Sequence, residues 1–183
     1  MKKTLITILC TVLVCSCVMG VTLAFLMDKT TTITNTFTVG NVDIDLAEGD
    51  NLDLKIVPGK QIKKDPIVTV KANSEKCYLF VEVVKGGSFD ACMSFSIAEG
   101  WTQLEVNGNT AIYYRTVDAS TVKQEFHVLA NDQVSVGTDV TKATLSGDTF
   151  STPTLAFTAY AVQFDNVDDV ATAWVYAQQA TIN

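Results

Sequence analysis

The segment TQLEVNGNTAIYYRT, Thr102 to Thr116, decides how this chain is to be read. Two runs rich in β-branched and aromatic residues flank Asn107-Gly108-Asn109. An Asn-Gly pair between such runs is the strongest short-range signal of a β-hairpin, because both residues tolerate the positive φ that a tight turn demands. The same grammar repeats on either side. Strand-like runs are expected at Asn35 to Leu46, Leu52 to Val57, Pro66 to Ala72, Cys77 to Lys85 and Met93 to Ile97, and again at Glu125 to Leu129, Gln133 to Val136 and Leu155 to Phe164. Turn signals separate them at Pro58-Gly59, Gly86-Gly87 and Ser146-Gly147-Asp148. Many short strands at this spacing predict an all-β fold, a two-sheet antiparallel β-sandwich or a barrel.

One helix interrupts the pattern. Val167, Val170, Ala171 and Trp174 follow helical spacing, with Asp165 or Asn166 as the cap and Asp168 and Asp169 in the first turn, where the helix dipole favours acids. The helix is expected to cover one open end of the sandwich, with Trp174 packed in the core.

The N-terminus reads as an export signal. Lys2 and Lys3 precede an uncharged run from Thr4 to Met27, and Asp28 is the first acidic residue. Thr22-Leu23-Ala24 resembles an A-x-A site, so cleavage between Ala24 and Phe25 is expected. An uncleaved anchor and lipid attachment at Cys15 or Cys17 are the alternatives. The expected organisation is a signal at 1–24, an N-terminal extension at 25–34 and a sandwich domain at 35–183. Loss of Lys2 and Lys3 from 13 basic side chains leaves 11 against 20 acidic ones, a net charge of −9. Such a surface repels nucleic acid and anionic lipid, whose binding rests on Lys and Arg contacts. Membrane contact is expected only through the signal.

Ile33, Phe37 and Val39 occupy odd positions, whereas Val42, Ile44 and Leu46 occupy even ones. A bend or bulge at Gly40 accounts for the change of phase. At these residues the chain resembles the TasA/camelysin family of secreted Gram-positive proteins. The resemblance is carried by Ala24-Phe25, Asp28, the Thr36-Phe37-x-x-Gly40-x-x-Asp43-x-x-Leu46 segment and the Pro58-Gly59 turn before Ile67 to Val70. It extends over roughly the first 85 residues. Further on, Leu155 to Gln163 followed by a helix looks like other members of the group.

The resemblance implies a jelly-roll sandwich, processing by a SipW-type signal peptidase, and assembly with itself or related subunits into extracellular biofilm-matrix fibres. In such fibres the N-terminal segment of one subunit completes a sheet of its neighbour. That fits the apolar head Phe25, Leu26 and Met27 and the β-prone run that includes Ile33, which together form a candidate donor strand. A monomeric cell-surface binding module is the alternative, and a camelysin-type metallopeptidase is disfavoured.

Enzymatic signals are scarce. A zincin needs two His on one helix face with a Glu between, yet the chain has one His, His127, in a strand-like run. No nucleophile elbow, Walker loop or dinucleotide fingerprint is present, and no catalytic residue or cofactor is expected. The acids Asp43, Asp45, Glu48, Asp50 and Asp53 invite a calcium reading, but an EF-hand loop counted from Asp43 puts Ala47 at position 5 and Glu48 at position 6. A solvated strand face is the simpler account. Cys77 and Cys92 are expected to be free thiols, because a hairpin closed by Lys85 to Ala91 sets them about 23 Å apart, against a disulfide limit of about 7 Å between Cα atoms.

Overall fold

A computed structural model describes residues 41–49 and 55–180 of the chain. Among them are ten strands: β1 (Ile44–Ala47), β2 (Gln61–Lys63), β3 (Ile67–Val70), β4 (Cys77–Gly86), β5 (Met93–Ser94), β6 (Thr102–Asn107), β7 (Thr110–Val117), β8 (Gln124–His127), β9 (Gln133–Val136) and β10 (Thr154–Gln163). Three α-helices accompany them, α1 (Phe89–Cys92), α2 (Lys142–Leu145) and α3 (Val170–Ala180), with a short 3-10 turn at Ala130–Asp132. All the described residues belong to one of two compact units, Val39–Asn183. The other unit, Met1–Thr38, lies outside the described residues, and so does Gly40.

The strands form an antiparallel β-sandwich. One layer is a four-stranded sheet in the order β10-β4-β7-β6. Facing it are two short three-stranded sheets, β1-β3-β8 and β2-β9-β5. Backbone bonds from Lys64 N to Asp132 O (2.8 Å) and from Val128 N to Pro66 O (3.0 Å) carry the pairing across the gap between these two. The core lies between the layers. Cys77, Leu79, Val81 and Val83 alternate along the inner face of β4 and meet Val68, Val70, Val117 and Val128, all buried. Full burial of each large apolar side chain contributes about 1.5–3 kcal/mol, so this patch alone is a major part of what holds the layers together. Val42, Ile44 and Leu46 pack against the same core, as their shared even phase predicts.

β4 carries aromatic residues on its other face. Tyr78 and Phe80 there join Ile112 and Tyr114 of β7 and Tyr160 and Val162 of β10, and α3 lays Ala173, Trp174 and Ala177 over them. The helix therefore covers the outer face of the four-stranded sheet rather than an open end of the sandwich, because that face carries the aromatic residues that need covering. Its cap also differs from expectation. Asp169 Oδ1 accepts from the Thr172 N–H (2.7 Å), one turn later than Asp165 or Asn166. Trp174 is core as expected, 7% exposed.

Several strands differ from the sequence reading. β1 occupies only the end of the Asn35 to Leu46 run and extends to Ala47, residues 35–40 being outside the described set. Residues 55–57 of the Leu52 to Val57 run are not strand. The Met93 to Ile97 run shrinks to the two-residue β5 and a bridge between Ile97 and Leu129. The chain between β4 and β5 is not a hairpin. It turns through α1 into the opposite layer, where β5 pairs with β9.

Candidate functional site

In a β-sandwich the sheet edges are informative, since an edge strand leaves a row of backbone donors and acceptors unpaired. Most edges here are guarded. β6 carries Glu105 and a β-bulge at Leu104, where the register shifts between Gln103 and Glu105. β1 is four residues long and carries Asp45, β8 carries Glu125, β2 has three residues with Lys63, and β5 has two. Short length, charge and bulges are the devices by which sheets resist unwanted pairing.

β10 has none of them. Its ten residues, TLAFTAYAVQ, include no charge, no proline and no glycine. It pairs with β4 along its whole length, from Thr154 opposite Gly86 to Gln163 opposite Cys77, and no described strand pairs with its other side. Which amides face that open side follows from the ladder. Phe164 N–H donates to Lys76 O (2.8 Å), whereas Lys85 N–H donates the opposite way, to Asn109 O (2.9 Å). The alternation of an antiparallel pair then directs the backbone groups of Ala156, Thr158, Tyr160 and Val162 toward β4, and those of Leu155, Phe157, Ala159 and Ala161 away from it.

The side chains of the outward-bonding residues point into the seam between the layers, where Leu155, Phe157, Ala159 and Ala161 are only half-buried. Beside the start of β10 lies an apolar groove of about 310 Å³, lined among others by Ile56, Ile62, Phe89, Met93, Val134 and Leu155. Lys64 reaches over the seam, its Nζ 5.6 Å from the centre of the Phe157 ring. A strand laid along β10 would thus meet amides that no described strand pairs, half-covered apolar side chains and a groove for its own.

The remaining expected residues are dispersed. Ala24, Phe25, Leu26, Met27 and Ile33 lie outside the described residues, as do Asp50 and Asp53. Asp43 pairs with Lys71 (3.0 Å), Glu48 pairs with Lys64, and Asp45 is exposed on β1. No group of three or more His, Cys, Asp or Glu side chains placed to hold a metal occurs among the described residues. His127 is exposed on β8, and its Nδ1 lies 2.7 Å from Asp132 Oδ1, which ties the strand to the turn at Asn131 and Asp132, both at positive φ. Cys77 and Cys92 are free and buried. The expected hairpin between them does not form: Cys92 sits in α1 and packs with Ile62, Val136 and Val140 in the other layer. Burial pushes the Cys77 thiol up to about 11 and raises that of Cys92 as well.

Arg115 is a half-buried cation. It rises from the inner side of β7 with its guanidinium 4.1 Å from the Phe126 ring centre and 5.4 Å from that of Trp101, and desolvation lowers its pKa. Among the described residues no helix is long and apolar enough to cross a membrane. Comparison of the chain with protein-family models, with curated proteins and with solved structures returns no match.

Proposed function

We propose that this protein is a secreted structural subunit of an extracellular fibre or matrix, of the TasA/camelysin kind, assembled by adding the N-terminal segment of one subunit to the β10 edge of the next. The observation that supports the reading is the β10 edge, which carries no charge or proline and which no described strand pairs. A ten-residue strand with no charge and no proline is a template for pairing with another chain, and proteins that stay monomeric blunt such edges. The donor is Phe25 to Thr34, exposed once a SipW-type peptidase cuts after Ala24. Its apolar head would otherwise face water, and its threonine-rich continuation favours extended backbone. Main-chain hydrogen bonds along Leu155 to Ala161 supply affinity. The apolar groove beside Leu155 supplies register.

The test is assembly of protein beginning at Phe25, followed by light scattering and negative-stain microscopy across a concentration series. Filaments are expected. Deletion of Phe25 to Thr34 should yield a folded monomer that does not polymerise, and Ala156→Lys, which places a charge on the exposed side of β10, should raise the critical concentration without unfolding the domain. Filaments from the deleted protein would place assembly on another surface.

A further inference from the structure

On the outer face of the four-stranded sheet, beside the end of α3, lies a second cleft of about 240 Å³. Glu82, Glu105, Asn107, Thr110, Trp174 and Gln178 line it. Glu82 of β4 and Glu105 of β6 both lie opposite Ile112 of β7, so the two carboxylates flank that residue from strands two apart, about 10 Å between backbones. Glu105 owes this position to the bulge. In an uninterrupted ladder Leu104 and Val106 would share the outer face. The extra residue at Leu104 instead brings Glu105 and Asn107 round to it, opposite Ile112 and Thr110. Bulges commonly re-aim a side chain in this way next to functional sites.

The cleft is also braced. Tyr160 Oη donates to Glu82 Oε2 (3.1 Å), and the Tyr160 ring meets Trp174 edge-on with centroids 5.3 Å apart. Trp174 and Gln178, one helical turn apart, wall the cleft from α3. No basic side chain lines it among the described residues, and neither carboxylate is in an ion pair there.

We infer that this cleft binds one amino-sugar residue with a protonated amine. Two carboxylates only accept hydrogen bonds and carry like charge, so the complementary ligand is a donor-rich cation. The amides of Asn107 and Gln178 and the hydroxyl of Thr110 offer both donors and acceptors, which suit sugar hydroxyls and which a lysine side chain would leave unused. The cleft is below the ~300–1,000 Å³ of sites for larger ligands, in keeping with a single ring held at an open mouth. The inference does not depend on polymerisation.

The experiment uses protein beginning at Phe25 with Trp101→Phe, which leaves Trp174 as the sole indole, titrated with glucosamine trisaccharide and with its fully N-acetylated counterpart. Saturable change in Trp174 fluorescence is expected with the free amine, at least about tenfold tighter than with the acetylated form, and calorimetry should agree. Glu105→Gln and Glu82→Gln should each weaken amine binding about tenfold. Asn107→Ala, in an exposed position, should weaken both sugars and so keeps the test open if a glutamate variant folds poorly. Equal affinity for the two trisaccharides would overturn the charge-based recognition. Lysine amide binding as tightly as the amino sugar, or no saturable response to it, would overturn the sugar assignment.

Discussion

Replacing Phe80 with Ala probes the packing that joins the helix to the sheet. Phe80 is fully buried, with ring centroids 5.3 Å from Trp174 and 6.4 Å from both Tyr78 and Tyr114, in a cluster that includes Ile112, Ala173 and Ala177. Truncation removes the transfer free energy of the ring, leaves a cavity between two rigid elements and deletes three aromatic contacts. Phe→Ala changes of this kind cost about 3–5 kcal/mol, a large share of the ~5–15 kcal/mol of a typical domain. At about 2–4 °C per kcal/mol for a chain of this size, the midpoint should fall by roughly 6–20 °C. Urea denaturation followed by tryptophan emission measures the loss, with Val122→Ala, at a 66% exposed position, as a control expected to stay within about 0.5 kcal/mol. A loss below about 1 kcal/mol for Phe80→Ala would mean that α3 does not rest on this face.

Three further outcomes follow from local geometry. In protein beginning at Phe25, Cys77 and Cys92 should resist thiol reagents at pH 8 until denaturant is added; because burial raises the folded thiol's affinity for its proton, stability should be unaffected below pH 8 and fall as pH rises from about 9 toward 11, and rapid native labelling of Cys77 would contradict its burial. Asp169→Ala should destabilise at neutral pH, where the carboxylate, held below its usual 3.8 by hydrogen bonds from the Thr172 amide and hydroxyl, caps α3; the difference from the parent should vanish as pH falls through that lowered pKa, and a difference that persists in strong acid would refute the cap. Gly108→Ala should cost only about 1–2 kcal/mol, since φ is +57° but nothing lies within 4 Å of the added Cβ, whereas Gly87→Ala, also at positive φ, drives a Cβ into the Thr152 carbonyl and should cost visibly more in the same melt; equal costs would refute the close approach.

The parts of the fold that could be read in the sequence are those whose signal is local. The Asn107-Gly108-Asn109 signal placed β6 against β7, although the loop itself is Gly108-Asn109 with Gly108 alone at positive φ, and the long β-branched and aromatic runs of β4 and β10 fell within a residue of their observed ends. Short strands carried no such signal. Gln61-Ile62-Lys63 buries only Ile62 between two exposed polar residues, and β5 holds two residues. α2 begins at a capping pair, Thr141 with Thr144, in a stretch otherwise too brief for helical periodicity. Helix amphipathicity shows that one face must be covered but not by what. Tyr78 and Phe80, aromatic on the side of β4 opposite Leu79 and Val81, were the available clue to where α3 docks. The bulge at Leu104 was not legible, because alternation in Thr102 to Asn107 reads equally well without it. The openness of β10 depends on which strand lies beside it, a property of topology rather than of any one segment.

Strand addition at β10 would engage its outward amides, and quenched hydrogen exchange read by NMR addresses them one by one. In the monomer lacking Phe25 to Thr34, the amides of Ala156, Thr158, Tyr160 and Val162 should be protected and those of Leu155, Phe157, Ala159 and Ala161 should exchange freely. In filaments of protein beginning at Phe25, the second set should become protected as well. Filaments in which Leu155, Phe157, Ala159 and Ala161 still exchange as they do in the monomer would contradict strand addition at β10.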